Sequence, residues 1–255
     1  DCRFFAPASS KGFESQSLTG PSSFRVERNI QNDRLSSSPV GSTASSASFA
    51  SSAASSEGPL TILTVCTGNI CRSPMAEVVL RARLEPHGVR IHSGGTHALV
   101  GHEMTEQAQA LAVGAGARSS DAAAHAARFL VEPMLLGADL VLAMTREHRS
   151  HPVKMMPSAV RRTFAVREFA RLASGVSTED LRVAAEAGGA DPRARFAAVL
   201  QFVGGQRTHM ASATDPKHDD VIDPYRRSAE VYAEAASQLL PALDEVERVV
   251  RAALS

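Results

Sequence analysis

Cys66, Arg72 and Ser73 are the residues of this chain best suited to chemistry, because they stand in one Cys-x5-Arg-Ser run, Cys66-Thr67-Gly68-Asn69-Ile70-Cys71-Arg72-Ser73-Pro74. An apolar stretch with β-branched residues precedes it, Leu60-Thr61-Ile62-Leu63-Thr64-Val65, and a helix-forming stretch follows, Met75-Ala76-Glu77-Val78-Val79-Leu80. A loop that runs from a strand into a helix leaves backbone N–H groups without intrahelical partners, and these converge on an anion. Gly68 and Asn69 are residue types that tolerate left-handed backbone angles, so the loop can curl its amides inward. Pro74 suits the first helical turn, where its missing N–H costs nothing. Arg72 adds a planar fork of donors matched to two oxygens of a phosphate. A thiol on the floor of such a cup sits in positive potential, which favours the thiolate, and Cys66 becomes the candidate nucleophile. Ser73 can donate its hydroxyl hydrogen to that sulfur. The candidate oxyanion-binding set is Thr67, Gly68, Asn69, Ile70, Cys71 and Ser73, with Arg72 counted among the catalytic groups.

Expelling a poor leaving group also requires a proton donor held over the cup. Asp223 lies in a turn-forming Asp-Pro pair just before the final helix, and Tyr225 beside it offers a ring for stacking on a substrate. Asp219 and Asp220 carry the same charge nearby, so the residues alone leave the choice of acid open. Phosphoryl transfer asks mainly for positioning and charge stabilisation, so this constellation needs neither a metal nor another cofactor. The pair His148-x-x-His151 is not completed by further ligands and reads as histidines on the exposed side of a helix.

These groups need a scaffold, and from Leu60 onward strands and helices alternate. The pattern predicts strands near 60–65, 89–93, 139–144 and 162–166, with helices near 74–86, 104–113, 131–136, 145–151 and 226–252. Mostly apolar strands too far apart for hairpins imply an α/β fold, an open and mainly parallel four-stranded sheet flanked by helices. The phosphate loop then follows the first strand, at the carboxyl end where open sheets place ligands. Phe196, Val199, Leu200 and Val203 fall at i, i+3, i+4 and i+7, so residues 191–205 read as a further helix with a packing face. Residues 1–58 are different material: the Ser- and Ala-rich run lacks apolar periodicity and reads as a disordered tail without catalytic role, leaving 59–255 as the catalytic domain. Lys plus Arg equals Asp plus Glu at 27 each, which gives no reason to expect nucleic acid or an anionic membrane as partner. Three cysteines, two of them in one loop, build no disulfide framework, so the compartment reads as reducing and cytoplasmic.

The loop resembles the signature of the low-molecular-weight protein tyrosine phosphatases, a strand followed by Cys-x4-Cys-Arg-Ser and a helix. The likeness extends over residues 60–253: Ile91-His92-Ser93-Gly94-Gly95-Thr96 resembles the second strand and its turn, Asp139-Leu140-Val141-Leu142-Ala143-Met144 the third strand, and Ile222-Asp223-Pro224-Tyr225 the Asp-Pro loop. His125-Ala126-Ala127-Arg128 and Arg167-Glu168-Phe169 also match, without a role assigned to them. The resemblance implies hydrolysis of protein phosphotyrosine through a cysteinyl-phosphate, with Asp223 as the general acid and then base. It implies phosphotyrosine-bearing proteins as substrates, a cognate tyrosine kinase as candidate partner, and a redox role for Cys71 beside Cys66. Two features depart from the pattern: residues 173–220 form an insertion, and His97-Ala98-Leu99-Val100 supplies no Trp or Tyr as an aromatic wall. Rival readings are an arsenate reductase on the same scaffold that borrows an external thiol, since no cysteine follows Cys71, and a non-catalytic phosphoprotein-binding module.

Overall fold

The computed structural model describes residues 58–210 and 215–255, so the tail read over 1–58 lies, apart from Gly58, outside the described residues. In chain order, β1 (Leu60–Cys66) leads to α1 (Arg72–Leu84), β2 (Val89–Gly95), α2 (Glu106–Gly114), α3 (Ser119–Ala123) and α4 (Glu132–Leu136). Then follow β3 (Leu140–Ala143), α5 (Arg146–Met155), β4 (Thr163–Ala165), α6 (Val166–Ser174), α7 (Thr178–Glu186), α8 (Pro192–Gly205) and α9 (Ala229–Leu254). The four strands form one sheet in the order β2-β1-β3-β4, with every neighbouring pair parallel.

Alternation along the central strands sorts their side chains into two layers. Leu60, Ile62 and Cys66 of β1, with Leu140 and Leu142 of β3, face a core that α1, α6, α8 and α9 complete. Leu63, Val65 and Val141 face the other side and pack with Leu130, Leu135, Met156 and Ala159. Burial on both faces explains why β1 and β3 read as almost unbroken apolar runs. It also places Cys66, the last residue of β1, at the sheet's carboxyl edge beneath the N-terminus of α1.

All four expected strands are present. The helix expected from residue 74 starts at Arg72, which puts Pro74 in its first turn, and the segment 191–205 is helical with its four apolar residues buried. Asp191 caps that helix by accepting from the N–H groups of Arg193 and Ala194 at 3.3 and 3.1 Å. Helices α3, α6 and α7 were not expected. For α7 the signal was Ser177 and Asp180, which cap each other reciprocally: Ser177 Oγ accepts from Asp180 N–H, and the Asp180 carboxylate accepts from Ser177 N–H.

Candidate active site

The loop between β1 and α1 is held at a sharp bend by Asn69, whose φ is 56°; Gly68, expected to share the left-handed conformation, does not adopt it. A non-glycine residue in that region is strained and persists only where its surroundings hold it. Here the Asn69 side chain donates to Ser73 Oγ at 3.0 Å and to Ser93 Oγ at 2.7 Å, and accepts from Arg128 N–H at 2.9 Å. The Asn69 backbone carbonyl oxygen lies 2.8 Å from His125 Nε2. Ser93 donates in turn to buried Glu77, which Arg81 and Arg128 also bind, while His125 Nδ1 lies 3.6 Å from the same carboxylate. Burial alone would raise the Glu77 pKa, but His125, Ser93, Arg128 and Arg81 outweigh it and hold the carboxyl at about 2. Glu77 carried no expectation, and Ser93, His125 and Arg128 were matched to the family pattern without a role. The available signal was a lone carboxylate in the apolar stretch of α1.

Around the sulfur, Cys66 Sγ lies 2.9 Å from Ser73 Oγ and accepts from the Asn69 N–H at 3.3 Å. Arg72 is buried; its Nη1 donates to the Val221 carbonyl at 3.0 Å and its Nη2 pairs with Asp223 Oδ2 at 2.9 Å. Its Nε is buried with no partner among the described residues. Above these groups opens a cavity of about 160 Å³ lined by Cys66, Thr67, Gly68, Ile70, Cys71 and Arg72 from the loop and by His97, Leu99, Asp223 and Tyr225 from outside it. The expected binding set therefore divides: Thr67, Gly68, Ile70 and Cys71 face the cup, whereas Asn69 and Ser73 are buried behind it, where they contact the sulfur, one another and the residues that hold the loop. No described residue of 173–220 lines it.

Three aspartates competed for the acid position, and their surroundings separate them. Asp219 is buried against Arg171, at 3.2 Å. Asp220 accepts from Arg146 N–H at 2.7 Å, and its carbonyl accepts from Arg167 Nη1 at 2.7 Å. Val221 N–H donates to the Met144 carbonyl just past β3, tying the segment down two residues before Asp223 reaches the cup. Tyr225 N–H donates to Asp223 Oδ1 at 3.2 Å, and the Tyr225 ring is half-exposed at the rim.

Cys71 is buried and free, with its sulfur 3.5 Å from both Thr105 Oγ1 and Tyr232 Oη. Burial pushes this thiol's pKa up despite those two hydrogen bonds, and the neighbouring charges of Cys66 and Asp223 add to the rise. His148 overturns its reading as an exposed helical histidine: it is 8 % exposed and its Nε2 lies 2.7 Å from Thr67 Oγ1. The reason is local. Thr145 caps α5, and the first turn of that helix directs residue 148 inward toward β1 rather than outward.

A cysteine sulfur at the carboxyl end of a central parallel strand, with a buried guanidinium beside it and a carboxylate on a facing loop, defines an α/β protein built to handle an oxyanion with a thiol. The family model described as low molecular weight phosphotyrosine protein phosphatase matches residues 61–211, and the chain belongs to that family. The chain is 41 % identical over 102 residues to the low molecular weight protein-tyrosine-phosphatase Etp of Escherichia coli K12, spanning 40 % of this chain and 66 % of the relative's length. It is 38 % identical over 111 residues to a protein-arginine-phosphatase of Geobacillus stearothermophilus, covering 44 % of this chain and 72 % of the relative. Among solved structures, the YwlE arginine phosphatase from Geobacillus stearothermophilus superposes with a TM-score of 0.51 at 28 % identity, covering 74 % of this chain and 91 % of the other. A low molecular weight protein tyrosine phosphatase from T. tengcongensis gives 0.50 at 27 % identity, covering 73 % and 97 %. The matched family span ends at residue 211, before Asp223.

Proposed function

We propose that the protein hydrolyses phosphotyrosine in proteins through a cysteinyl-phosphate on Cys66. The observation that carries this reading is Arg72, a buried guanidinium whose Nε has no partner among the described residues and whose Nη2 pairs with a carboxylate that is more than half exposed. Leaving a buried donor unpaired costs about 1–3 kcal/mol, and two phosphoryl oxygens bound along the Nε–Nη2 edge would offset that cost. Phosphate bound there takes the place of Asp223 on Arg72, and Asp223 then faces the leaving oxygen.

In the first step the Cys66 thiolate attacks phosphorus, the P–O bond breaks, and Asp223 gives its proton to the departing phenolic oxygen. In the second step Asp223 takes a proton from water as it attacks phosphorus, the S–P bond breaks, and sulfur leaves as thiolate with Ser73 Oγ–H and Asn69 N–H donating to it. Ile70 and Leu99 present apolar walls, and Tyr225 offers a ring at the rim. Such apolar walls suit a phenyl ring better than a strongly polar phosphoguanidine. Asp223 in place over the cup also favours ester hydrolysis over arsenate reduction. The substrates on this reading are phosphotyrosine-bearing proteins, with a tyrosine kinase as counterpart, and the cysteine usage is that of a reducing compartment such as the cytoplasm.

The test is turnover of a phosphotyrosine peptide, a phosphoarginine peptide and a simple aryl phosphate by the wild type and by Cys66→Ser. Hydrolysis of the phosphotyrosine peptide that Cys66→Ser abolishes is the expected outcome. Preference for phosphoarginine would overturn the substrate assignment, and turnover retained in Cys66→Ser would overturn the nucleophile.

A further inference from the structure

We propose that His148, steered by Thr145, sets the Thr67 hydroxyl as a hydrogen-bond donor to the oxyanion in the cup, which makes it a positioning residue acting through Thr67. The inference rests on the phosphatase reading for the reaction it serves, while its oxyanion-binding part stands independently of turnover.

Three contacts carry it. His148 Nε2 lies 2.7 Å from Thr67 Oγ1, His148 Nδ1 lies 2.8 Å from Thr145 Oγ1, and the His148 backbone N–H donates to the same Thr145 oxygen at 3.1 Å. Thr67 lines the cup, whereas His148 is buried behind it. Each hydroxyl has one hydrogen to give, so the direction of every bond in the Thr145–His148–Thr67 chain follows from the state of the imidazole.

Burial and the Arg72 guanidinium on α1 lower the His148 pKa to about 4, with Asp223 on the facing loop pulling the other way and His151 and His97 adding to the decrease. At neutral pH the ring is therefore neutral and carries a single proton. With that proton on Nδ1, the ring donates to Thr145 and Nε2 accepts from Thr67, which turns the Thr67 lone pairs toward the cup. An anion there would meet like charge. With the proton on Nε2, the Thr145 hydroxyl donates to Nδ1, Nε2–H donates to Thr67 Oγ1, and the Thr67 hydroxyl hydrogen is released to point at the anion. A phosphoryl group in the cup selects this second arrangement. The donor gains strength as charge builds on the equatorial oxygens during transfer. Because the ring stays uncharged, the device supplies a donor without placing a second cation beside Arg72.

The experiment measures binding of inorganic phosphate by calorimetry, and turnover of an aryl phosphate, in the wild type, Thr67→Val, Thr67→Ser, His148→Leu, His148→Gln and the Thr67→Val/His148→Leu double variant. Thr67→Val should weaken phosphate binding about tenfold to a hundredfold, the effect of losing one hydrogen bond to a charged group. Thr67→Ser should retain binding. His148→Leu should cost a smaller factor, since the Thr67 hydroxyl loses the donor that fixes it and turns freely, and the double variant should be no weaker than Thr67→Val alone, because His148 acts only through the hydroxyl already removed. His148→Gln should restore binding, since its amide N–H takes the place of Nε2–H. Multiplying losses in the double variant, or a Gln variant as weak as Leu, would overturn the proposal. Where His148→Leu does not fold, Thr67→Val and His148→Gln decide it: unchanged affinity in the first, or loss of wild-type affinity in the second, is sufficient to reject it. Absence of turnover in the wild type would remove the phosphatase reading while leaving the phosphate-binding comparison to judge His148.

Discussion

Replacing Glu77 by Gln isolates how the phosphate loop is held. Glu77 is 1 % exposed, and Arg128 Nη2 lies 3.0 and 3.1 Å from its two oxygens, with Ser93, Arg81 and His125 completing its surroundings. Together they hold a carboxyl with an ordinary value of 4.5 at about 2, against the opposing effect of burial. At about 1.4 kcal/mol per pH unit, that gap makes the charged form contribute about 3 kcal/mol to folding at neutral pH. Because the folded value is depressed, the contribution is complete above 4.5 and is lost as pH falls toward 2. Glu77→Gln keeps the shape and removes the charge, so it should cost about 3 kcal/mol at pH 7 in urea unfolding.

The decisive readout is the difference between the two proteins as a function of pH. The wild type loses the Glu77 contribution in acid and the variant has none to lose, so the gap should narrow to about half by pH 3. His148 does not confuse the comparison. Its folded value is lowered to about 4, so the stability it removes is lost between pH 6.5 and 4, equally in both proteins. Parallel stability curves between pH 5 and 3, or a loss below about 1 kcal/mol at pH 7, would refute the reasoning. The variant should also show lower kcat/KM, since Ser93 and through it Asn69 lose their anchor.

Asp223→Ala should slow aryl phosphates with poor leaving groups by about 10²–10⁴ and those with good leaving groups far less, as loss of a general acid requires. Equal losses for both, measured as kcat across a leaving-group series, would remove Asp223 from that role. Arg72→Lys should weaken phosphate binding severely, because a point charge cannot reproduce the Nε–Nη2 edge; calorimetry showing near wild-type affinity would contradict that geometry. On the proposal that Cys71 guards the nucleophile, peroxide would oxidise Cys66 to its sulfenic acid, and attack of the Cys71 thiol with loss of water would close a disulfide that blocks further oxidation. Activity after peroxide should therefore return with dithiothreitol in the wild type and fail to return in Cys71→Ser, while equal recovery would leave Cys71 as a packing residue.

The sheet was legible because β1 and β3 are buried on both faces, and burial on both faces writes an apolar run into the sequence. The catalytic loop was legible because its chemistry depends on residue types at fixed spacing along one short segment. What sequence reasoning missed is what long-range packing decides. Asn69 was singled out for its backbone, yet the residues that hold it, Ser93, His125 and Arg128, lie 24 to 59 residues away and bear no local mark of the contact. His148 was read from helical exposure, but its direction is set by how α5 docks beside β1, which periodicity over ten residues with a low apolar content does not report. Asp223 was chosen over Asp219 and Asp220 from its likeness to the Asp-Pro loop; all three meet arginine residues in the structure, and what sets Asp223 apart is that it lines the cup with its partner Arg72.

Two buried ionisable groups flank the loop in opposite states, and the difference follows from their neighbours. Glu77 stays charged because Arg81 and Arg128 meet it and Ser93 donates to it, so its charge is paired within the interior. His148 stays neutral because Arg72 is close and burial removes the water that would solvate a second cation. Exchanging those states would damage the site from both sides. A protonated Glu77 loosens the pairing that anchors Ser93 and the strained Asn69, whereas a charged His148 would place a second cation beside Arg72, whose counter-charge Asp223 already supplies. The loop can thus be rigid at Asn69, where backbone strain must be restrained, and adjustable at Thr67, where only a hydroxyl hydrogen has to turn.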